Sequence, residues 1–135
     1  MERRSFITNI GQTVALACGG ALLNACSKSS SAPSTKLPFS LDLNTELQNV
    51  GSSVINGNII VVRVGADDVS ESFDALSLVC THQGCAINYQ EANQVLFCPC
   101  HGSEFDLNGN VLQGPAVIPL AKYTVSISND ILTVS

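Results

Sequence analysis

Basic residues are scarce in this chain, and their scarcity excludes one large class of partners. Lysine and arginine number 6 against 11 aspartate and glutamate residues, so the formal net charge is −5. Proteins that bind nucleic acid neutralise phosphates with clustered basic side chains. We therefore expect no nucleic-acid partner.

Aromatic residues are also few: tryptophan is absent and aromatic residues make up only 5% of the chain. Hydrophobic residues nevertheless reach 45%, so the 135 residues suffice for one modest domain.

Long apolar runs are also lacking. The one candidate extends from Ile10 to Leu23, and it is interrupted by Gln12, Thr13, Gly19 and Gly20. A helix that crosses the hydrocarbon core of a bilayer, roughly 30 Å thick, needs about 20 consecutive apolar residues. This run is therefore a poor membrane span, although an uncleaved anchor stays open as an alternative.

The first 26 residues have the three-part layout of an export signal. The basic stretch Arg3-Arg4-Ser5-Phe6-Ile7 resembles a twin-arginine signal, and Leu23-Asn24-Ala25-Cys26 resembles a bacterial lipobox with Cys26 as the acylated residue. We therefore expect residues 1–25 to be an export signal and the mature protein to be periplasmic and anchored to the membrane through a lipid on Cys26. A plain cleaved signal is a further alternative.

The residues that follow the signal carry almost nothing that a folded domain could bury. Residues 27–36 read SKSSSAPSTK, a composition typical of flexible linkers. Ten residues of flexible coil reach about 17 Å root-mean-square. We expect residues 26–36 to be a tether and residues 37–135 to form a single domain.

Two hairpins are visible in the sequence of that domain. Residues 54–64 place the turn signal Asn56-Gly57 between apolar stretches, and residues 123–134 place Asn129-Asp130 between stretches of alternating polar and apolar residues. Short Asn- and Gly-containing turns between such stretches are the sequence signature of a β-hairpin.

Further short stretches have the length and composition of strands. They are residues 40–43, 73–79, 94–97 and 105–112, the last interrupted by the turn signal Asn108-Gly109. No segment after residue 36 has a long helical period. Short strands separated by turns predict an all-β domain, an antiparallel sandwich or barrel.

The four cysteines after Cys26 and both histidines lie in two short motifs. The first motif, CTHQGC, occupies residues 80–85, and the second, CPCHGS, occupies residues 98–103. Each motif directly follows an apolar stretch that is expected to be a strand. The end of a rigid strand fixes the position of ligands better than a free loop does. The two motifs therefore predict one joint site.

Four interpretations of this site compete. The cysteines could form two disulfides in an exported protein, which leaves the histidines unexplained. Two cysteines and two histidines could bind a structural zinc ion. A cysteine could be a nucleophile with a histidine as its base. Finally, two thiolates and two imidazoles are the ligand set of a 2Fe-2S cluster with a different ligand type on each iron.

The paired motifs resemble those of the Rieske iron–sulfur proteins. The family patterns C-T-H-x-G-C and C-P-C-H-G-S occur here at residues 80–85 and 98–103, and Gly114-Pro115-Ala116 resembles the proline loop that covers the cluster in that family. The resemblance spans roughly residues 37–135. It implies a Rieske-type antiparallel β sandwich or barrel with a two-loop subdomain that binds a 2Fe-2S cluster.

The resemblance also implies a role for each residue of the motifs. Cys80 and Cys98 would bind one iron, and His82 and His101 the other. Cys85 and Cys100 would form a disulfide between the two loops, which an exported protein would keep. Around the cluster, the family's high-potential members donate hydrogen bonds from a serine and a tyrosine; these positions are Ser103 and Phe105 here. Gly114 and Pro115 would belong to the covering loop.

The mixed ligand set has a consequence for the redox chemistry. Two ferric ions, two sulfides and two thiolates sum to zero charge, so an electron is added to a neutral site. The potentials of such centres lie in the range of about −150 to +300 mV. Because Phe105 lacks the tyrosine hydroxyl, we expect a potential that is positive but below that of proteins with both donors.

These implications lead to one function hypothesis and its alternatives. We expect one-electron transfer on the periplasmic side of a bacterial membrane, with a redox protein such as a cytochrome or a molybdoenzyme as donor or acceptor. The alternatives are the Rieske subunit of a quinol–cytochrome oxidoreductase complex and the electron-transfer subunit of a molybdenum oxidase. A ring-hydroxylating oxygenase is excluded, because its mononuclear iron needs two more histidines than the chain contains. Whether the chain is itself an enzyme is left open.

Overall fold

The computed structural model describes residues 34–135. The predicted export signal, Cys26 and most of the predicted tether therefore lie outside the described residues. The described part is built from eleven short strands and one three-residue 3-10 helix, Ser70–Ser72. The strands are β1 (Phe39–Asp42), β2 (Ser53–Asn56), β3 (Ile59–Arg63), β4 (Phe73–Ser77), β5 (Asn88–Gln90), β6 (Val95–Phe97), β7 (Glu104–Phe105), β8 (Val111–Gln113), β9 (Lys122–Tyr123), β10 (Val125–Ser128) and β11 (Ile131–Val134).

These strands form three antiparallel sheets. The first has the order β1-β11-β10, the middle sheet β2-β3-β4-β9, and the third β5-β6-β7-β8. The all-β, antiparallel fold predicted from the sequence is thereby confirmed. Within residues 34–135, no helix is long and apolar enough to cross a membrane.

The middle sheet is covered on both faces, which explains the continuous apolar run in β3. Ile60 and Val62 point into a core between the middle and third sheets, whereas Ile59 and Val61 point into a second core against the first sheet. Because successive side chains of a strand face opposite sides, a strand between two cores must be apolar at every position. All four side chains are at most 1% exposed.

The hairpin at the C-terminus is confirmed at its predicted position. β10 and β11 pair antiparallel, and Ser128 lies opposite Ile131. The two turn residues between them, Asn129 and Asp130, both have positive φ angles, 49° and 61°. A two-residue turn of this kind matches the right-handed twist of the strands it joins, and Asn and Asp tolerate it better than other side chains.

The first predicted hairpin exists, but its turn lies one residue later than the Asn56-Gly57 signal indicated. Asn56 still belongs to β2 and pairs with Ile59, so the turn residues are Gly57 and Asn58. Moving a two-residue turn by one position shifts the strand pairing by two residues, so the faces of β3 stay the same and alternation does not distinguish the two registers. Gly57 has φ 60° and stands first in the observed turn, the position at which one class of two-residue hairpin turn requires glycine.

The third sheet presents the two motifs at one end of the molecule. Cys98 follows β6 directly, while Cys80 is separated from β4 by Leu78 and Val79, the latter in a bridge with Ala86. Cys80 and Cys98 are themselves members of the core between the middle and third sheets. We call this core the site core, because it reaches from the strands into both motif loops.

Candidate metal centre

The first motif folds into a tight loop that its own backbone closes. The Cys80 N–H donates to the Cys85 carbonyl at 2.8 Å, and the Gly84 N–H donates back to the Cys80 carbonyl at 2.8 Å. Gly84 adopts φ 75°, in the left-handed region that glycine enters without steric cost. A cysteine and a glycine four residues later are thus the residues that determine this loop.

The second motif repeats the same backbone arrangement. The Cys98 N–H donates to the Ser103 carbonyl at 2.8 Å, and the Gly102 N–H donates to the Cys98 carbonyl at 3.0 Å. Gly102 has φ 82°. The two loops therefore share one backbone frame, although their side chains differ at most positions.

The two frames bring two thiols and two imidazoles to one end of the site core. Cys80 and Cys98 are free and only 2% and 1% exposed. The rings of His82 and His101 meet edge to face, with centroids 4.8 Å apart. His101 is exposed and His82 is half-buried. The thiols thus lie on the inner side of the site and the imidazoles on the solvent side.

Burial raises the pKa of the Cys98 thiol, and the neighbouring Cys80 raises it further through a hydrogen bond and like charge. Both thiols would have to lose their protons to bind a metal, because the thiolate is the ligand. A bound cation therefore supplies the positive charge that a pair of buried thiolates needs. Free and buried, these two cysteines have the character of metal ligands.

One buried atom of the site is left without a partner, as an atom that binds a further group would be. The Nδ1 atom of His82 is buried and has no hydrogen-bond partner, and it is the one such side-chain atom within residues 34–135. A buried polar atom without a partner costs about 1–3 kcal/mol, so native proteins avoid it. Two buried thiols, two adjacent imidazoles and an unpartnered ring nitrogen together fit the donor set of a 2Fe-2S cluster.

The remaining cysteine of each loop joins the two loops. Cys85 Sγ and Cys100 Sγ are bonded at 2.10 Å. The Sγ atoms of Cys85, Cys98 and Cys100 lie within 4.8 Å of one another. Only Cys98 among these three can offer a thiolate, since the other two sulfurs are bonded to each other. Because Cys80 and Cys98 stay free, the alternative with two disulfides is not what the structure shows.

A third segment, residues 113–118, is fastened to both loops by three hydrogen bonds. The Thr81 hydroxyl donates to the Ile118 carbonyl at 2.6 Å, and the Ala116 N–H donates to the Ser103 hydroxyl oxygen at 3.0 Å. The Gln113 side-chain amide donates to the Gly102 carbonyl at 2.9 Å. We call residues 113–118 the covering segment; they include the predicted residues Gly114 and Pro115, which are joined by a cis peptide bond.

Within this segment, it is Ala116 that lies against the site. Ala116 is 3% exposed, whereas Gly114 and Pro115 are exposed. The predicted residues Gly114 and Pro115 therefore lie beside the site, and their neighbour Ala116 makes the direct contact with it.

Ser103 and Phe105 are both 0% exposed, so neither is accessible from solvent. The Ser103 oxygen accepts the bond from Ala116, which leaves its own proton free to be donated. Phe105 packs in the site core and contributes no polar group. The site thus has one hydroxyl donor at these two positions.

The contacts of two residues at the site, Thr81 and Gln113, could not be predicted from the sequence. Thr81 belongs to the first motif, but its partner lies 37 residues away, and Gln113 bonds a residue 11 positions away. Neither residue type is diagnostic by itself. The nearest available signal was that both flank positions already assigned to the site.

Comparison with known proteins also indicates an iron–sulfur domain. A model of the Rieske [2Fe-2S] domain matches residues 36–124. The cytochrome b6-f complex iron-sulfur subunit of Chlorobaculum tepidum is 30% identical over 139 residues, which cover 99% of this chain and 75% of that subunit. The corresponding subunit of Chlorobaculum thiosulfatiphilum is 39% identical over 77 residues, which cover 57% of this chain and only 40% of that subunit.

A solved structure agrees with these relatives. The plasma membrane Rieske protein PetC3 from Synechocystis PCC 6803 superposes with a TM-score of 0.50 at 38% sequence identity, over 57% of this chain and 75% of that chain. Two loops on one backbone frame, two free buried thiols and two adjacent imidazoles occur within residues 36–124, the stretch that the domain model matches. This chain belongs to the Rieske [2Fe-2S] domain family, carries a 2Fe-2S cluster and transfers electrons through it.

Proposed function

We propose that Cys80 and Cys98 hold one iron of the cluster and that His82 and His101 hold the other. The unpartnered Nδ1 atom of His82 carries this assignment, because it is a buried donor atom that the protein itself leaves unsatisfied. The two free, buried thiols lie at the inner side of the same site. When bound, the cluster supplies one-electron redox chemistry that no side chain can provide.

The chain's own residues orient these ligands and exclude water from the two cysteines. The disulfide between Cys85 and Cys100 ties the loops together, and the covering segment holds both loops from the side. Ser103 keeps one proton available toward the site, where a donor favours the reduced, more negative state. Ligands that are held in place need little rearrangement when the charge of the site changes.

A partner would meet the site at an uncharged surface. Residues 80–85, 98–103 and 112–119 contain no charged side chain. Three apolar side chains in this region face solvent, namely Leu112, Val117 and Ile118, which are 57%, 85% and 60% exposed. We call this uncharged region around the histidines the tip surface. Its composition indicates a redox protein that docks by apolar contact, with a correspondingly weak effect of salt.

The setting we propose is the periplasmic face of a bacterial membrane. The signal-like residues 1–25 and the lipobox-like Cys26 support export and a lipid anchor. The similarity to a plasma membrane Rieske protein supports a location at a membrane. In this setting the protein would carry single electrons between redox proteins, such as a cytochrome or a molybdoenzyme.

A second candidate function is favoured by the relatives. The Chlorobaculum tepidum protein, a subunit of a cytochrome b6-f complex, is similar along 99% of this chain. The protein would then be the Rieske subunit of a quinol–cytochrome oxidoreductase complex. Purification of the protein from its native membrane in mild detergent separates the two candidates, since a subunit co-purifies with cytochromes in fixed ratio and a carrier does not.

Pulsed electron paramagnetic resonance tests the ligand assignment itself. In dithionite-reduced protein whose histidines carry 15N, we expect hyperfine coupling to two nitrogens, and no cluster in His82→Ala or His101→Ala. A reduced protein without nitrogen coupling would contradict the assignment. For the tip surface, the rate of electron transfer to a cytochrome should change less than about twofold between 0.05 and 0.5 M salt, whereas an electrostatic interface changes by an order of magnitude or more.

A further inference from the structure

The first residues of the described chain are fastened to the turn between β2 and β3. The Thr35 hydroxyl lies 2.5 Å from the Asn56 carbonyl oxygen and 2.8 Å from Asn58 Oδ1, and it accepts a bond from the Asn58 N–H at 2.9 Å. The Thr35 N–H donates to Asn58 Oδ1 at 3.1 Å. One threonine therefore satisfies both the backbone and the side chain of a two-residue turn.

This contact needs a glycine beneath it. A Cβ atom added to Gly57 would lie 2.3 Å from Thr35 Oγ1 and 3.2 Å from Thr35 Cβ, so any other residue would push Thr35 away from the turn. Gly57 also has φ 60°, which side chains rarely adopt. The turn is thus shaped to receive Thr35, and the pair forms what we call the Thr35 latch, made of Thr35 and residues 56–58.

The latch lies at the end of the middle sheet that carries the metal centre. The Asn58 carbonyl accepts a bond from the Leu78 N–H at 2.7 Å. Leu78 precedes Cys80 by two residues, a distance of at most about 7 Å between Cα atoms. The opposite end of the same sheet is marked by the pair Arg63 and Phe73. Thr35, near the start of the described residues, therefore lies beside the first motif loop and away from the other end of the sheet.

We propose that the Thr35 latch makes the chain leave the domain at the cluster end, so that an anchor on Cys26 holds the cluster toward the membrane surface. The orientation rests on the lipid anchor proposed above; the latch itself does not. Nine peptide units separate Cys26 from Thr35 and span at most about 30 Å. A domain of this size is about 33 Å across, so an exit at the other end could place the cluster twice as far away.

Such an orientation favours a partner at the membrane. The tip surface then lies within reach of a membrane-bound redox protein, whose accessible face would meet the histidines without the domain having to turn over. The structure thus adds the direction of the electron-transfer face to the proposed function.

Hydrogen exchange tests the latch in the holoprotein. In Thr35→Val the backbone N–H of Asn58 loses its acceptor, the Thr35 hydroxyl oxygen. We expect hydrogen exchange of this N–H to accelerate roughly three- to tenfold, as the loss of one hydrogen bond implies. Thr133→Val is the matched control, because the Thr133 hydroxyl bonds Ser40 on a different sheet. Unchanged protection of the Asn58 amide in Thr35→Val would overturn the latch.

A second measurement tests the orientation separately. The full-length holoprotein is placed in nanodiscs whose lipids carry Gd³⁺ chelates, and the relaxation of the reduced cluster's paramagnetic resonance is compared with discs that carry La³⁺. We expect faster relaxation with Gd³⁺, and a weaker effect when twelve residues are inserted between Ser29 and Ser30. Mass spectrometry shows in the same sample whether Cys26 is acylated.

The outcomes distinguish the two proposals. An acylated protein without Gd³⁺-dependent relaxation overturns the orientation and leaves the anchor standing. A protein without a lipid on Cys26 overturns the anchor and with it the orientation, while hydrogen exchange still decides whether the latch exists.

Discussion

The two motif loops share a backbone and divide the chemistry differently. In both loops, the N–H of the first cysteine donates to the carbonyl of the fifth residue after it. The fourth residue after that cysteine is a glycine with positive φ, whose N–H donates to the carbonyl of the same cysteine. The histidine is two residues after the cysteine in the first loop and three residues after it in the second. The repeated backbone frame thus fixes the positions of the two free cysteines, and the two histidines occupy positions of the frame that differ by one residue.

The other positions of the frame differ in a complementary way. The fifth residue after the cysteine is Cys85 in the first loop and Ser103 in the second. Cys85 reaches across to the other loop, whereas Ser103 turns to the covering segment through Ala116. Equivalent backbone positions thus join the loops in one case and hold the covering segment in the other, where we propose that Ser103 also tunes the site. Four variants test this difference between the loops.

The largest effect is expected within the second loop. In Cys98→Ala one proposed ligand is lost, and the purified protein should contain almost no iron and no visible absorbance. The matched variant Cys100→Ala removes a cysteine two residues away that is engaged in the disulfide, and it should still bind the cluster. Iron analysis decides, and a Cys98→Ala protein with full iron content would contradict the ligand assignment.

Removal of the link between the loops should have the next largest effect. The double variant Cys85→Ala, Cys100→Ala loses a disulfide between residues 15 positions apart. A link of this length contributes about 3 kcal/mol to the free energy of unfolding, which corresponds to at least about 10 °C in a domain of this size. The temperature at which visible circular dichroism disappears measures the effect. An unchanged temperature would show that the two frames hold each other without the disulfide.

A smaller effect is expected when the hydroxyl of Ser103 is removed. Ser103→Ala leaves the buried Ala116 N–H unpaired and should lower stability by about 1–3 kcal/mol. It also removes the donor that we propose for the site, so the midpoint potential should fall by about 40 mV, the equivalent of roughly 1 kcal/mol for one electron.

The control for this substitution lies at the entry to the first loop. The Ser77 hydroxyl accepts a bond from the Val79 N–H at 3.2 Å, so Ser77→Ala also costs stability. Its midpoint potential should not change. Potentiometric titration of both variants separates tuning from folding, and equal potentials in Ser103→Ala and the parent protein would contradict the role of Ser103.

The smallest effect is expected at Phe105. Phe105→Tyr introduces a hydroxyl two residues after Ser103 in a fully buried place, and one added hydrogen bond toward the site should raise the midpoint potential by about 40 mV. Phe97→Tyr, at the half-buried end of β6, is the matched control and should leave the potential unchanged. A titration in which Phe105→Tyr has the same or a lower potential would defeat the expectation.

Much of the fold could be predicted because it depends on local pattern. The strand stretches and the turn at Asn129-Asp130 follow from alternation and from residues that accept positive φ. The register of the first hairpin could not be read in this way. Asn56 and Gly57 are a strong turn signal, but the turn is formed by Gly57 and Asn58, with the glycine first.

The site shows the same division. Its cysteines and histidines are rare residue types in a specific spacing, so they could be identified without coordinates. Thr81, Gln113 and Thr35 could not, because threonine and glutamine are common and their partners are 37, 11 and 23 residues distant. Such contacts depend on how the sheets pack and leave no periodic trace.

The amino-acid sequence alone indicates the family and the all-β class, because the two spaced motifs resemble those of the Rieske proteins and short apolar stretches alternate with turn signals. The folded chain was needed to find the contacts between distant parts: the shared loop frame, the three hydrogen bonds of the covering segment, and the position of Thr35 beside the first motif loop. Ligand type is a local property of residues, whereas proximity between distant residues arises only when the sheets bury their apolar faces together.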